Sequence, residues 1–419
     1  MLIIRYVQNK QVIKVLEEIT IILLLIILLK PIVPPLTYLQ FDALAGNDKS
    51  FVSLILQISF YAFFVILQPK LFTNFLNSFA LLFVDPFLGI LLVVTLLSAL
   101  WSETPVLSLK FSVVQFIVSW LAAHLVRKYD WQDICKYLCR MCLISGVLSA
   151  FVALAIPSMG INEKGWLGIF PFPIKLGTCM ALSIALWSIQ PMNSLWRRVI
   201  AIGAIMLSSL LLILSNSSQA LFTLITLLIF LGILTIMRQF TPRQVSVIII
   251  LLISFLLASY VIISSNLETI FAVVGKDMTL TGRTEFWPQM LASLEKRPIL
   301  GYGVQGFWQS WRGEANPAGH ILNSGGFVPP NGHNGFLDLA MELGWLGLII
   351  FSLSFALNFV RAATLWKQAN FLEAALPSML LVYIVMANIS ETQLFITYYI
   401  WFCYVLVAVK LNIPVSKMT

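Results

Sequence analysis

The chain predicts an all-α polytopic membrane protein, and three observations carry that reading. Of its 419 residues, 59% are hydrophobic and only 11% charged, which leaves too little polar surface to coat a soluble globule of this size. Apolar runs long enough to cross about 30 Å of hydrocarbon as helices recur along the sequence. None shows the short alternation of an outer-membrane barrel strand, the other architecture that satisfies its backbone in lipid.

In order, about twelve spans are predicted: 12–30, 50–68, 86–102, 106–126, 135–156, 174–190, 196–214, 218–237, 244–263, 334–359, 374–390 and 394–411. The first apolar run, from Ile19, ends in Lys30-Pro31 without a small-residue cleavage site, so it reads as a retained span. Segment 71–84 is broken by Asn74, Asn77 and Asp85 and reads as an interfacial prelude to the third span. One long connection divides the chain into spans at 1–263, a loop at 264–331 and further spans at 332–419. No repeat period is visible, against the two related halves expected of a facilitator-type transporter.

Short cytoplasmic loops retain Lys and Arg. With the N-terminus inside, most of the 26 basic residues fall on the inner side, among them Arg127, Lys128, Lys136, Arg140, Arg197, Arg198, Arg238, Lys367 and Lys410. The 264–331 loop is then expected outside the cytoplasm. The net charge of +8 is mostly this topology signal with some attraction to anionic lipid, and no nucleic-acid module accompanies it. Cys135, Cys139 and Cys142 share a face of the fifth span and read as packing residues; no disulfide framework, metal or cofactor is expected.

Within the loop, 284–297 reads as an amphipathic helix with Trp287, Leu291 and Leu294 at helical spacing and Phe286 and Met290 beside them. It is expected to lie in the membrane interface, aromatic side down. Gly301 to Gly306 formally matches a dinucleotide GxGxxG, but no strand precedes it and no βαβ unit surrounds it. It reads as a glycine-rich turn followed by interfacial anchors at Phe307, Trp308 and Trp311.

Under this topology Lys110, Lys175, Arg283, His333, Asp338, Glu342 and Glu391 come out near the outer surface. Ionisable groups at membrane depth are costly unless they share a polar cavity or a partner, so convergence on one cleft is expected. Such a cleft suits a lipid-linked phosphate whose headgroup projects outward. Arg283 would bind a diphosphate through paired hydrogen bonds, and His333 would accept a proton from an attacking sugar hydroxyl. Each residue also has a plainer reading. Arg283, Lys110 and Lys175 would serve as lipid anchors, His333 as a helix cap or surface residue, and Asp338 and Glu342 as favourable charges near a helix N-terminus.

The run "TGRTEFWPQM...RPILGYGVQGFW...NGHNGFLDLAMELGWLGLIIF", from Thr281 to Phe351, resembles the signature of the bacterial O-antigen ligase, O-antigen polymerase and exopolysaccharide polymerase superfamily. The resemblance rests on Gly282-Arg283, Pro298 to Gly303 and His333-Asn334 in that order, with weaker similarity at 97–109, 214–222 and 388–395. It implies a GT-C-like fold and a metal-independent, inverting glycosyltransferase. Such an enzyme moves oligosaccharide from an undecaprenyl-diphosphate donor to a sugar or glycan acceptor, at the periplasmic face of the bacterial inner membrane and among its lipids. It further implies catalytic roles for Arg283 and His333. Ser217 and Gln219, in "LSNSSQALF", would join the substrate-binding residues Arg283, Lys175, Lys110, Asp338, Glu342 and Glu391. Ser218 stands where the family commonly has a second Arg, and Ile174 where Asn is usual; Lys175, with Lys110, is expected to supply the missing charge. The exopolysaccharide branch is slightly preferred, and the rival reading is a transporter or flippase of lipid-linked glycan.

Overall fold

The computed structural model describes residues 2–31, 75–240, 244, 283–322, 325–389, 391–394 and 398–413. The predicted second span, all of the ninth beyond Gln244, and loop residues 264–282 lie outside these. The described chain is helical almost throughout: α1 (Leu2–Leu28), α2 (Phe75–Ala80), α3 (Pro86–Leu97), α4 (Pro105–Lys128), α5 (Trp131–Ala155), α6 (Pro173–Ile189), α7 (Leu195–Leu214), α8 (Ser218–Met237), α9 (Arg283–Leu294), α10 (Gly335–Gln368), α11 (Phe371–Ile389) and α12 (Tyr398–Asn412). A two-residue antiparallel ladder, with Ile161 opposite Trp166, joins β1 (Ile161–Asn162) to β2 (Gly165–Trp166). Among the described residues six helices are long and apolar enough to cross a membrane, or seven if a bent pair counts as one span.

Local chemistry sets the helix starts. Asp85, Asp130, Ser194, Ser217 and Asn334 each accept a backbone N–H from the first turn that follows, satisfying donors that have no partner within the helix. Pro86, Pro105 and Pro173 occupy first-turn positions, where the missing N–H costs nothing.

The predicted prelude to the third span is a short helix that meets α3 at a bend of 105°. Asp85 fills the corner. Its Oδ1 caps α3 at Phe87 N (3.0 Å) and Leu88 N (3.2 Å), while Oδ2 accepts from Ser354 Oγ and Asn358 Nδ2, both at 2.6 Å. Tyr404 donates to Ser354, and Asn412 Nδ2 donates to Asn358 Oδ1 at 2.8 Å. All of these polar side chains but Asn412 are buried, and the group ties α3, α10 and α12 together.

The two ends of the bundle differ. At one, Glu17 pairs with Lys128 and Tyr129, Glu18 with Arg140, Lys410 caps α4 through the carbonyls of Val126 and Tyr129, and Arg238 reaches the carbonyl of Ala369. The opposite end carries α9 and the polar residues singled out from the sequence. A large apolar core fills the bundle, and a smaller one lies beneath α9: Phe286, Met290 and Leu294 pack with Tyr302, Phe307, Ile321 and Met341.

Candidate active site

The site forms where the loop folds onto the first turns of α10. That helix is not continuous: Gly344 has φ +66° and ψ −172°. The turn segment from Pro298 to Gly303 is stitched into the break. Tyr302 N donates to the Met341 carbonyl (2.9 Å) and Gly303 N to that of Glu342 (2.8 Å). On the other side, Trp345 N donates to the Pro298 carbonyl (2.8 Å) and Leu346 N to that of Ile299 (3.3 Å). The segment thereby satisfies backbone groups orphaned by the break, which could not remain unpaired away from water. A Cβ on Gly301 would lie 2.6 Å from Gly344 N and Met341 O, and one on Gly344 only 2.1 Å from Ile299 O, so both glycines are required by close approach as well as by positive φ.

The aromatic residues after this turn depart from expectation. Phe307 is fully buried and Trp308 partly so; only Trp311 is exposed. Likewise α9 turns Phe286, Met290 and Leu294 onto the protein, leaving Leu291 exposed. Both neighbouring stripes have helical spacing. The loop and α10 supply an apolar partner that the sequence reading assigned to lipid.

This packing fixes Gly332 at both its peptide groups. Trp287 Nε1 of α9 donates to the Gly332 carbonyl (2.8 Å), and Gly332 N donates to Asp338 (2.9 Å to Oδ2, 3.1 Å to Oδ1). The next residue, His333, has φ +47°, a left-handed conformation in which His is several-fold enriched among non-glycine residues. Its N–H donates to Asn331 Oδ1 (3.0 Å), and Asn334 then caps α10 through Phe336 N and Leu337 N.

His333 therefore points toward Glu391, in the connection between α11 and α12. His333 Nδ1 lies 3.5 Å from Glu391 Oε1, and Arg283 Nη2 lies 3.8 Å from the same oxygen. The guanidinium and imidazole expected to meet do meet, on one carboxylate. Phe286, one turn along α9 from Arg283, packs against the imidazole with ring centroids 6.2 Å apart. Burial pulls the Arg283 pKa below its usual value, while the Glu391 charge opposes that shift. The Glu391 turn is held by buried Asn388, whose Oδ1 accepts from Gln393 N (3.0 Å). Gly335 leaves room for this, since a Cβ there would approach Asn388 Oδ1 to 2.0 Å.

Asp338 joins three chain segments. Besides Gly332 it accepts from Trp308 Nε1 (2.7 Å) and from the Thr392 hydroxyl. Glu342, one helical turn on, uses Oε1 to accept from Gln305 N (3.1 Å) and Gln305 Nε2 (3.3 Å). Gln305 and Thr392 were not singled out in the sequence, and Trp308 was read there as an interfacial anchor. Their weak signal is position, within the glycine turn and beside Glu391.

The remaining predicted residues share this end of the bundle but sit differently. Lys110 is exposed on α4, and Lys175 is half-buried in the first turn of α6. Two residues on, Gly177 packs against Ser215 and Ala220 at the α7–α8 connection. Ser217 caps α8 through Ala220 N (3.3 Å), and Gln219 Nε2 donates to the Met386 carbonyl (3.3 Å) near the end of α11. His320, in the loop, pairs with Ser293 Oγ at 2.8 Å. Among the described residues no group of three or more His, Cys, Asp or Glu side chains is arranged to hold a metal ion.

Residues 203–352 match the family described as O-antigen ligase. A stretch of 92 residues is 32% identical to the exopolysaccharide production protein ExoQ of Rhizobium meliloti (strain 1021), covering 22% of this chain and 21% of that protein. Over part of its length the chain is thus similar to the O-antigen ligase and polymerase-like family. The family match contains Arg283, His333, Asp338 and Glu342, whereas Glu391 lies beyond it.

Proposed function

We propose that this relative of the O-antigen ligases polymerises or ligates glycan carried on undecaprenyl diphosphate, as an inverting glycosyltransferase of the GT-C-like type working at the periplasmic face of the inner membrane. What supports the reading is the meeting of Arg283 and His333 on Glu391 Oε1. A base and a diphosphate-binding cation must be adjacent for this reaction, and one carboxylate brings them together from segments fifty residues apart.

In the proposed step an acceptor-sugar hydroxyl attacks the anomeric carbon of the donor. The new C–O bond forms as the bond to the diphosphate oxygen breaks, with inversion. His333 takes the hydroxyl proton on Nε2, while Glu391 beside Nδ1 stabilises the imidazolium that results. Arg283 turns its guanidinium from the long contact with Glu391 to the departing diphosphate, where charge accumulates. Lys175, and Lys110 farther out, add positive charge along the path of the headgroup. The proposed step uses no metal, as the family resemblance implies.

Polymerisation of exopolysaccharide is preferred to ligation. In cells lacking the gene, short lipid-linked repeat units should accumulate; polymer of normal length left unattached would point to ligation. The enzymatic reading is tested with purified protein and a synthetic lipid-diphosphate oligosaccharide. His333→Ala and Arg283→Ala should each lower the rate by about a hundred to a thousandfold. Rates equal to wild type would remove the catalytic assignment, and movement of the donor across the bilayer without sugar transfer would favour a flippase.

A further inference from the structure

We propose that the cavity beside Glu342 is a specificity pocket for one hydroxyl-bearing substituent of a sugar ring in the glycan substrate, with Glu342 Oε2 accepting the hydroxyl's hydrogen. The inference rests on the glycan-transfer reading above and adds which part of the glycan is recognised and by which atom.

The leading observation is an acceptor left over. Glu342 is 6% exposed; Gln305 occupies its Oε1 with two hydrogen bonds, yet Oε2 is buried and has no partner among the described residues. A buried polar atom in this state is costly unless a ligand or water completes it. A cavity of about 60 Å³ adjoins it, walled by Gln305, Trp308, Asp338, Leu339 and Thr392 together with Glu342 itself. That volume exceeds the roughly 30 Å³ share of one water in the liquid but falls far short of the roughly 300–1,000 Å³ of a pocket that encloses a whole ligand. It suits a substituent, with the ring remaining outside.

Chemistry narrows the substituent. Asp338 already accepts from Gly332, Trp308 and Thr392, so it holds the wall in place while Glu342 offers the vacant acceptor. The visitor must bring a donor. A phosphate would find no basic residue on the cavity wall, and a divalent cation would require several oxygen ligands that are already engaged here. A hydroxyl matches both the acceptor and the volume, and the indole of Trp308 gives the apolar wall that a sugar's C–H face can rest on. The position fits as well. Asp338 bonds the residue before His333, and Thr392 follows Glu391. The acidic cavity thus lies beside Arg283 and His333, and the two would sort sugar from diphosphate.

The test uses full-length protein in lipid nanodiscs. The probes are the soluble oligosaccharide released by mild acid from lipid-linked repeat units of the producing cells, and its mono-deoxy forms. Binding is read by saturation-transfer NMR. Wild type should bind one mono-deoxy form at least about tenfold more weakly than the parent. Glu342→Gln should bind the parent about tenfold more weakly and lose that discrimination. Leu339→Phe, which fills the cavity from another wall, should also weaken binding of the parent, and thermal unfolding midpoints establish which variants are folded. If Glu342→Gln does not fold, the mono-deoxy series on wild type together with Leu339→Phe decides the matter.

The proposal is overturned if wild type binds the parent and every mono-deoxy form alike, if it does not bind the parent, or if Glu342→Gln retains full discrimination. Turnover of the lipid-linked donor, measured separately, keeps the two readings apart. Discriminating binding without transfer leaves the pocket and removes the glycosyltransferase. Transfer with wild-type discrimination in Glu342→Gln does the reverse.

Discussion

Asp85 and Glu342 are both buried acids at interruptions of a helix, and they are treated in opposite ways. Asp85 sits in the corner between α2 and α3 with its oxygens occupied by two backbone amides, a hydroxyl and a side-chain amide. Glu342 sits just before the Gly344 break with one oxygen bonded and the other facing a cavity, without a partner among the described residues. The contrast separates two uses of a carboxyl group in an apolar bundle. A saturated one fixes a bend, because every donor it meets would otherwise be orphaned in a medium without water. An unsaturated one beside open volume is an invitation to a ligand.

The hardest test of that distinction is Asp85→Leu. Removing the acceptor strands two helix amides and the Ser354 and Asn358 side chains, so stability should fall by about 3 kcal/mol or more. Thermal unfolding in detergent checks this, and activity should fall only with the amount of folded protein. Unchanged stability would erase the contrast from the structural side. Next is Glu391→Gln, which leaves Arg283 and His333 without the charge they share. Transfer should drop about tenfold to a hundredfold with the unfolding midpoint held; a wild-type rate would remove Glu391 from the site.

Smaller effects sharpen the boundary of the functional half. Lys175→Ala should cost about tenfold in turnover if its charge assists the diphosphate; a rate equal to wild type would leave it a snorkelling residue. Ser217→Ala should cost about 1 kcal/mol through the lost α8 cap, with activity within about twofold. A large loss of activity at constant stability would instead return Ser217 to the substrate.

The contrast also marks what the sequence could and could not convey. Helix limits were legible because they depend on neighbours: the predicted 106–126 is observed as Pro105–Lys128, and 218–237 as Ser218–Met237. The union of Arg283, His333 and Glu391 followed from counting crossings and asking which ionisable groups come out at one level. The stitching of Pro298–Gly303 into α10, and the bond from Trp308 to Asp338, join segments thirty or more residues apart through backbone and indole groups. Periodicity contains no record of such pairings. For α9, the Trp287–Leu291 and Phe286–Met290 stripes score alike as helical faces, and only the arrival of Tyr302, Phe307 and Ile321 decides between them.

The break at Gly344 carries a mechanical consequence. Because the peptide groups on either side are bonded to the same Pro298–Gly303 segment, the acid-bearing turns from Gly335 to Leu343 and the long rod from Trp345 are held together across the break. The stitched break is thus a splint rather than a hinge, and Asp338 and Glu342 keep their place relative to the rod through Pro298–Gly303.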